Sequence, residues 1–234
     1  MPADATTHAP LSPERRAADS LACALLLALN GGVLDAFLYL AHGGVFAGAM
    51  TGNAVLCGIA LLEHDHWDAV IHIIPLAAFV VGAWAGFVLE ARIRQHTPVV
   101  ALALEAVCFF AASWLPRSFP DLLFIPIISS LAGFQVASFR TVDSFTYSST
   151  FITGELRASM EALHSTLDPR TRRKGLKEFR DLALVVLFFI GGALIGAFLA
   201  LRIGNHTLWL PVGLVLLTLI VVIRREAGES RARS

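Results

Sequence analysis

Residues 181–202 read DLALVVLFFIGGALIGAFLALR, and residues 71–92 read IHIIPLAAFVVGAWAGFVLEAR. Each stretch exceeds the roughly 20 residues that a helix needs to cross the hydrocarbon core of a bilayer. Each also ends in an arginine, whose long side chain can reach the headgroup region. Comparable stretches recur along the chain, which predicts an all-α polytopic transmembrane bundle. We expect six full spans, at about 20–41, 72–94, 98–115, 121–140, 181–203 and 207–224.

The overall composition agrees with a membrane protein. The chain of 234 residues is 56% hydrophobic and 15% charged, whereas soluble domains carry about 25% charged residues. The formal net charge is zero, which argues against nucleic acid as a partner. We expect the lipid bilayer as the main partner, a disordered tail at 1–19 and a second tail at 225–234. Residues 20–224 then form a single membrane domain.

Two further stretches are apolar only in part. Residues 44–62 contain Thr51-Gly52-Asn53, and residues 146–164 contain Thr153-Gly154-Glu155. Glycine frees the backbone, and lipid cannot satisfy the N–H and C=O groups of an interrupted helix. We therefore predict two interrupted or re-entrant segments that protein or a water-filled cavity lines.

The two halves of the chain repeat each other. A shift of 102 positions brings Gly31, Thr51 and Gly52 onto Gly133, Thr153 and Gly154. Further along the chain, a shift of 110 aligns residues 79–97 with residues 189–207. The matched positions at shift 110 include Phe79, Gly82, Gly86, Arg92 and His96 with Phe189, Gly192, Gly196, Arg202 and His206. We assign repeat one to 20–115 and repeat two to 121–224.

The charges of equivalent loops indicate an inverted arrangement. The loop after the first Thr-Gly segment is acidic, whereas the loop at 168–181 is strongly basic. Basic loops face the cytoplasm, so the two loops are expected on opposite sides, with both termini cytoplasmic. Six spans with inverted repeats follow if the Thr-Gly segments do not cross. If they cross, the alternative is eight spans in parallel repeats.

The sequence resembles the YoaK-like family of bacterial membrane proteins, a family of unknown function. The resemblance rests on Gly31-Gly32-Val33-Leu34-Asp35-Ala36, on Gly44-Val45-Phe46 and on Met50-Thr51-Gly52-Asn53, with a matching pattern at Gly133-Phe134-Gln135 and Thr150-Phe151-Ile152-Thr153-Gly154. Val136 and Glu155 depart from the family pattern. The resemblance implies a multi-pass protein of the bacterial inner membrane, and it implies no established activity.

Polar residues inside the spans are the candidate functional residues. Asp35 lies in the first span, where a carboxylate costs about 2.5–3.5 kcal/mol on insertion scales and usually faces a partner or a cavity. Arg140 is its candidate partner; a structural pair near the helix ends is the competing interpretation. Paired interrupted segments point to a transporter's binding site. That hypothesis brings Thr51, Gly52, Asn53, Thr153, Gly154 and Glu155 together near the midplane, whereas the competing one assigns them to helix packing.

Gln135 and Glu105 are the remaining polar residues at depth. Glu105 is a candidate pore-lining residue, and Gln135 a candidate for solute or ion binding; either could instead form one interhelical hydrogen bond. Gly82-x-x-x-Gly86 and Gly192-x-x-x-Gly196 predict close helix contacts, within the chain or between copies in a homo-oligomer. The histidines and acids at 63–72 match no defined metal site, so we expect neither a metal nor a cofactor.

The prediction for function is a secondary transporter or channel-like protein for a small solute or ion, in which Asp35 is a proton or cation site. No ATP-binding motif occurs, so gradients or a partner would drive transport. One alternative is an intramembrane enzyme, against which the absence of H-E-x-x-H and G-x-S-x-G argues. The other is a non-catalytic scaffold or sensor subunit.

Overall fold

A computed structural model of the protein describes residues 20–93, 96–139, 141–142, 145–146 and 152–231. Within these ranges the fold consists of eight α-helices, a pair of two-residue antiparallel strands and short 3₁₀ turns. The helices are α1 Leu21–Ala41, α2 Met50–Leu62, α3 His66–Ile93, α4 Thr97–Ser113, α5 Asp121–Ser138, α6 Ile152–His164, α7 Arg172–Ile203 and α8 Trp209–Arg231; the strands are β1 Thr141–Val142 and β2 Phe145–Thr146. The predicted N-terminal tail and Arg140 lie outside the described residues.

Several helices are long and apolar enough to cross a bilayer. These are α1, α3, α5 and the segment Arg172–Arg225, which contains α7, the short turn at Gly204–Leu208 and most of α8. The apolar helix α4 has 17 residues. Large apolar side chains such as Val80, Trp84 and Leu194 are more than 60% exposed on the outer surface, as expected of a surface that faces lipid. The helix α8 continues to Arg231, into residues that the sequence assigned to a tail.

Contacts at one end of the molecule fix the directions of the long helices. The His42 side chain, just after α1, meets Asp121 at the start of α5 and Asn205 in the turn between α7 and α8. Asn205 donates to the Leu115 carbonyl just after α4. Gly43 lies against Ile71 in the first turns of α3. This end therefore gathers the ends of α1, α4 and α7 and the starts of α3, α5 and α8, so the six long helices alternate in direction.

The two short helices begin inside the bundle. Each has 13 residues and spans about 20 Å at 1.5 Å per residue, less than the roughly 30 Å of the hydrocarbon core. Asp35 lies six residues, or about 9 Å, before the end of α1, and its carboxylate accepts a hydrogen bond from Gly48 N–H just before α2. Because α2 starts at the depth of Asp35 and leads into the start of α3, it returns to the end from which the chain entered.

The second short helix has the same arrangement. The first residues of α6, Ile152 and Thr153, lie with Phe189 and Ala193 near the middle of α7, while its last turn packs at Gly175 near the start of α7. The Thr-Gly motifs therefore stand at the starts of separate half-length helices, rather than inside a longer broken helix.

Glycines bring the long helices into backbone contact in two matching pairs. A Cβ atom at Gly32 would overlap the Phe189 carbonyl oxygen between α1 and α7, and one at Gly133 would overlap the Phe79 carbonyl oxygen between α5 and α3. Phe79 and Phe189 are equivalent at shift 110, so these contacts match Gly32 with Gly133. The contacts at Gly82 with Ser130 and Gly192 with Leu29 give the same relation. The offset between equivalent residues of α1 and α5 is therefore 101 positions, one fewer than the sequence alignment gave.

Candidate functional site

A cavity of about 780 Å³ lies where the two short helices begin. Its walls come from the second half of α1, the loop before α2, the first turns of α2 and α6, and the middle of α7. Most of the lining is apolar, with Leu40, Phe46 and Phe189 among the larger side chains. Leu194 also lines the cavity and is 69% exposed, so the cavity opens onto the surface that faces lipid.

Asp35 is the acidic residue of this cavity lining. The residue is only 4% exposed, and its Oδ1 atom accepts a hydrogen bond of 2.7 Å from Gly48 N–H. The backbone N–H groups of Ala47 and Ala49 also lie close enough to stabilise the carboxylate. Asp35 thus stands at the N-terminus of α2, where the helix dipole favours a negative charge. Its Oδ2 atom has no hydrogen-bond partner among the described residues.

The two Thr-Gly motifs meet at the same cavity. The cavity is lined by Thr51 of α2 and by Thr153 and Gly154 of α6. Both threonines are exposed residues. Among the described residues, nothing lies within 4 Å of a Cβ atom built at Gly154. The structure therefore brings together Asp35, Thr51, Thr153 and Gly154 from the predicted site.

Gly52 and Asn53 lie beside the cavity without lining it. The Asn53 side chain is fully buried; its Oδ1 accepts from Phe46 N–H and its Nδ2 donates to the Phe46 carbonyl, both at 2.8 Å. The Phe46 ring packs into the space that a side chain at Gly52 would occupy. These two residues hold the loop before α2 and thereby position Phe46 in the cavity wall.

The other candidate residues lie in the protein interior. Gln135 of α5 donates a hydrogen bond of 2.8 Å to Glu105 of α4, and both side chains are buried. Glu155 faces inward from the first turn of α6. None of the three lines the cavity. The described residues, which include the His-rich loop at 63–72, contain no cluster of three or more His, Cys, Asp or Glu side chains that could hold a metal.

Sequence reasoning missed two features. Tyr39 lines the cavity with its ring stacked on Phe46 at 5.0 Å between centroids, but an aromatic residue in an apolar helix carries no distinguishing signal. The second feature is the buried His42, whose ring nitrogens meet Asp121 at 2.6 Å and Asn205 at 2.9 Å. These partners lie 79 and 163 positions away, and a histidine near a helix end is typical of many membrane interfaces.

Comparison with known proteins identifies the family. The family model described as "Protein of unknown function (DUF1275)" matches residues 23–221. The chain belongs to the DUF1275 family. One relative among the curated proteins is the "UPF0700 transmembrane protein YoaK" of Bacillus subtilis (strain 168). The two sequences are 27% identical over 212 residues, which cover 87% of this chain and 94% of the relative. No solved structure matches the chain.

The DUF1275 assignment confirms the resemblance to the YoaK-like family. With a transmembrane relative over nearly the whole chain and helices long and apolar enough to cross a bilayer, this DUF1275 protein is an integral membrane protein. The family description assigns no activity, so the function has to be argued from the geometry of the cavity.

Proposed function

We propose that this protein is a secondary transporter or channel-like protein that moves a small solute across the bacterial inner membrane. The observation that carries the proposal is the cavity at which both short helices begin and which Asp35 lines. Half-helices that end at membrane depth offer backbone dipoles and unpaired N–H groups to a ligand. An apolar pocket with a few converging polar groups is the usual form of a small-molecule site, and its volume falls within the typical range of about 300–1,000 Å³.

The proposed topology has six spans in two inverted halves. It is supported by the alternating directions of the long helices and by short helices that return to the end from which they started. The matching glycine contacts of α1 with α7 and of α3 with α5 support a repeat. The basic residues at 170–180 assign the start of α7 to the cytoplasmic side. Both termini are then cytoplasmic, since α1 starts and α8 ends at the end opposite the His42 cluster.

Transport fits the cavity better than catalysis does. Among the described residues that line it, Asp35 is the one titratable group besides the Tyr39 phenol, and neither threonine has a histidine or lysine beside it. A nucleophile needs such a base within hydrogen-bond reach. The polar groups are instead suited to binding, with a gradient or a partner protein as the source of energy.

The test is uptake of a mixed pool of metabolites by proteoliposomes, analysed by mass spectrometry. We expect a solute to accumulate with the wild-type protein and Asp35→Asn to reduce its uptake at least tenfold. Asparagine keeps an oxygen that can accept from Gly48 N–H, so the variant should fold. Glu105→Gln is the matched control, because it removes a buried carboxylate that lies outside the cavity, and uptake should persist. Equal uptake by wild-type protein, Asp35→Asn and empty liposomes would refute the proposal.

A further inference from the structure

The strongly basic segment at 168–181, which the sequence predicted to be a loop, is largely helical. The helix α7 begins at Arg172, so its first turns carry most of the basic side chains of this segment. These turns pack against the turn that follows α6, because a Cβ atom at Gly175 would overlap the Ser165 side chain. We call residues 165–180 the basic hairpin. Its charges project from a closely packed turn and helix.

The basic hairpin carries an excess of positive charge. Residues 170–177 read RTRRKGLK and contain five basic residues and no acidic residue. The Lys174 ammonium group pairs with Glu178 at 3.6 Å, and the Asp168 carboxylate accepts a hydrogen bond from a backbone N–H. Three exposed guanidinium groups in this run form no ion pair with a described residue, those of Arg170, Arg172 and Arg173. These groups can bind an anion supplied from outside the chain.

The basic hairpin also lies at the edge of the hydrocarbon core. The apolar stretch of α7 begins after Asp181, and the helix from Arg172 to Arg180 spans about 12 Å. The headgroup layer on each side of a bilayer is about 5–8 Å thick, so these helical turns pass through it. The long, flexible stems of arginine side chains let their charged ends reach the phosphate groups of this layer.

Exposed leucines accompany the basic residues. Leu167 is 77% exposed and Leu176 is 48% exposed. Arg173, Leu176 and Lys177 follow the i, i+3, i+4 spacing that puts residues on one face of a helix. A surface that mixes leucine with arginine and lysine binds at the boundary between headgroups and acyl chains. The basic hairpin therefore offers contacts to both the charged and the apolar part of a lipid.

We propose that the basic hairpin is a binding site for an anionic phospholipid of the cytoplasmic leaflet. The phosphate group lies on the exposed arginines, because a guanidinium group can form two parallel hydrogen bonds with phosphate oxygens. An acyl chain lies beside Leu176. Clustered basic residues next to a transmembrane helix attract anionic lipids in this way. The inference goes beyond the proposed function, since it requires no transport, and only the choice of leaflet rests on the proposed topology.

Competition between two lipids tests the binding site. The full-length protein in detergent micelles is mixed with equal amounts of phosphatidylglycerol and phosphatidylcholine that have identical acyl chains. Native mass spectrometry then counts the bound molecules of each lipid. We expect at least three times as much bound phosphatidylglycerol as phosphatidylcholine. Equal binding of the two lipids overturns the proposal.

A pair of matched variants places the lipid on the basic hairpin. Arg172→Gln/Arg173→Gln should lower the ratio of bound phosphatidylglycerol to phosphatidylcholine to about one, because it removes two of the exposed guanidinium groups. Arg224→Gln/Arg225→Gln is the control, since it removes two adjacent exposed arginines near the end of α8. The control variant should keep the wild-type ratio. Equal loss in both variants would show that binding follows total charge, and it would refute a site on the hairpin.

A soluble phosphate ester separates a lipid site from a phosphate site. Glycerol 3-phosphate in tenfold excess over phosphatidylglycerol should leave the amount of bound lipid unchanged, because it has no acyl chain to contact the exposed leucines. Displacement of the lipid by this ester would identify a free phosphate compound as the ligand and would contradict the proposal.

Discussion

At the residue scale, Asn53 shows how one amide can hold a loop at depth. Its side chain forms two hydrogen bonds with the backbone of Phe46, one as acceptor and one as donor. In lipid or in a dry interior these backbone groups have no substitute partner, and an unsatisfied buried group costs about 1–3 kcal/mol. The amide is therefore a structural element of the cavity wall.

Asn53→Ala should lower the free energy of unfolding by about 2–4 kcal/mol, because it leaves two backbone groups unpaired and creates a small void. Thermal unfolding of the purified protein measures the change. Ser130→Ala is the control, since the Ser130 hydroxyl only donates back to its own helix at Ile127. An Asn53→Ala variant with wild-type stability would show that the two hydrogen bonds do not hold the loop.

The sequence identified polar residues at depth but not their partners. Asp35, Asn53, Glu105 and Gln135 stand out because each interrupts an apolar stretch. Whether such a residue lines a cavity or pairs inside the bundle depends on which helix faces it. The Glu105–Gln135 hydrogen bond joins residues 30 positions apart. The hydrogen bonds of Asn53 go to the backbone of Phe46, and backbone groups are the same at every position of the sequence. The repeat linked the two Thr-Gly motifs beforehand, whereas the predicted partner of Asp35 was Arg140, which lies outside the described residues.

At the element scale, glycines decide how closely the long helices approach. Gly192 in α7 meets the backbone of Leu29 in α1. Among the described residues, a Cβ atom at the neighbouring Gly191 would have only the tip of the Leu29 side chain within reach, at 4.0 Å. Small residues allow backbones to pack directly in a bilayer, where no hydrophobic effect drives the helices together. Two adjacent glycines of the same helix thus have different roles.

Gly192→Ala should destabilise the protein by about 1–3 kcal/mol through overpacking, while Gly191→Ala should have little effect. Unfolding in mixed detergent micelles compares the two variants directly. Gly82→Ala should resemble Gly192→Ala, because Gly82 meets the Ser130 backbone in the matching helix pair. Equal stability of the Gly191 and Gly192 variants would contradict the packing described for α1 and α7.

The small-residue motifs predicted helix contacts but could not name the facing helix or its register. Apolar helices use few residue types, so an alignment can slip by one position without a visible penalty. The shift of 102 aligned Gly31 with Gly133, whereas the contacts align Gly32 with Gly133. The counterpart of Asp35 changes from Ala137 to Val136, and in either register the second half has no acid at this position.

At the scale of the whole molecule, the His42 cluster ties the two halves together at one end. Asn205 donates through its Nδ2 atom to the Leu115 carbonyl, so its oxygen faces the His42 ring. With Asp121 on the other ring nitrogen, both ring nitrogens of His42 have an oxygen atom as partner. The cluster joins the residue after α1, the start of α5 and the turn after α7, and it lies at the end of the bundle opposite the start of α7.

The helix directions predict where single cysteines react with a membrane-impermeant thiol reagent. His66 and His206 are exposed at the end that holds the His42 cluster, and Lys174 is exposed at the opposite end. After replacement of the native Cys23, Cys57 and Cys108, we expect His66→Cys and His206→Cys to be labelled from outside intact cells.

We expect Lys174→Cys to be labelled only after permeabilisation, since its loop is basic and the proposed topology puts basic loops in the cytoplasm. The six-span arrangement requires this opposite pattern. Each half then crosses the membrane an odd number of times, so the second half has the opposite orientation to the first. Eight spans in parallel halves would instead place residues 66 and 174 on the same side. Labelling of His66→Cys and Lys174→Cys from one side of intact cells would therefore exclude the inverted halves. It would also contradict the proposal that the chain reaches the two short helices from opposite sides of the membrane.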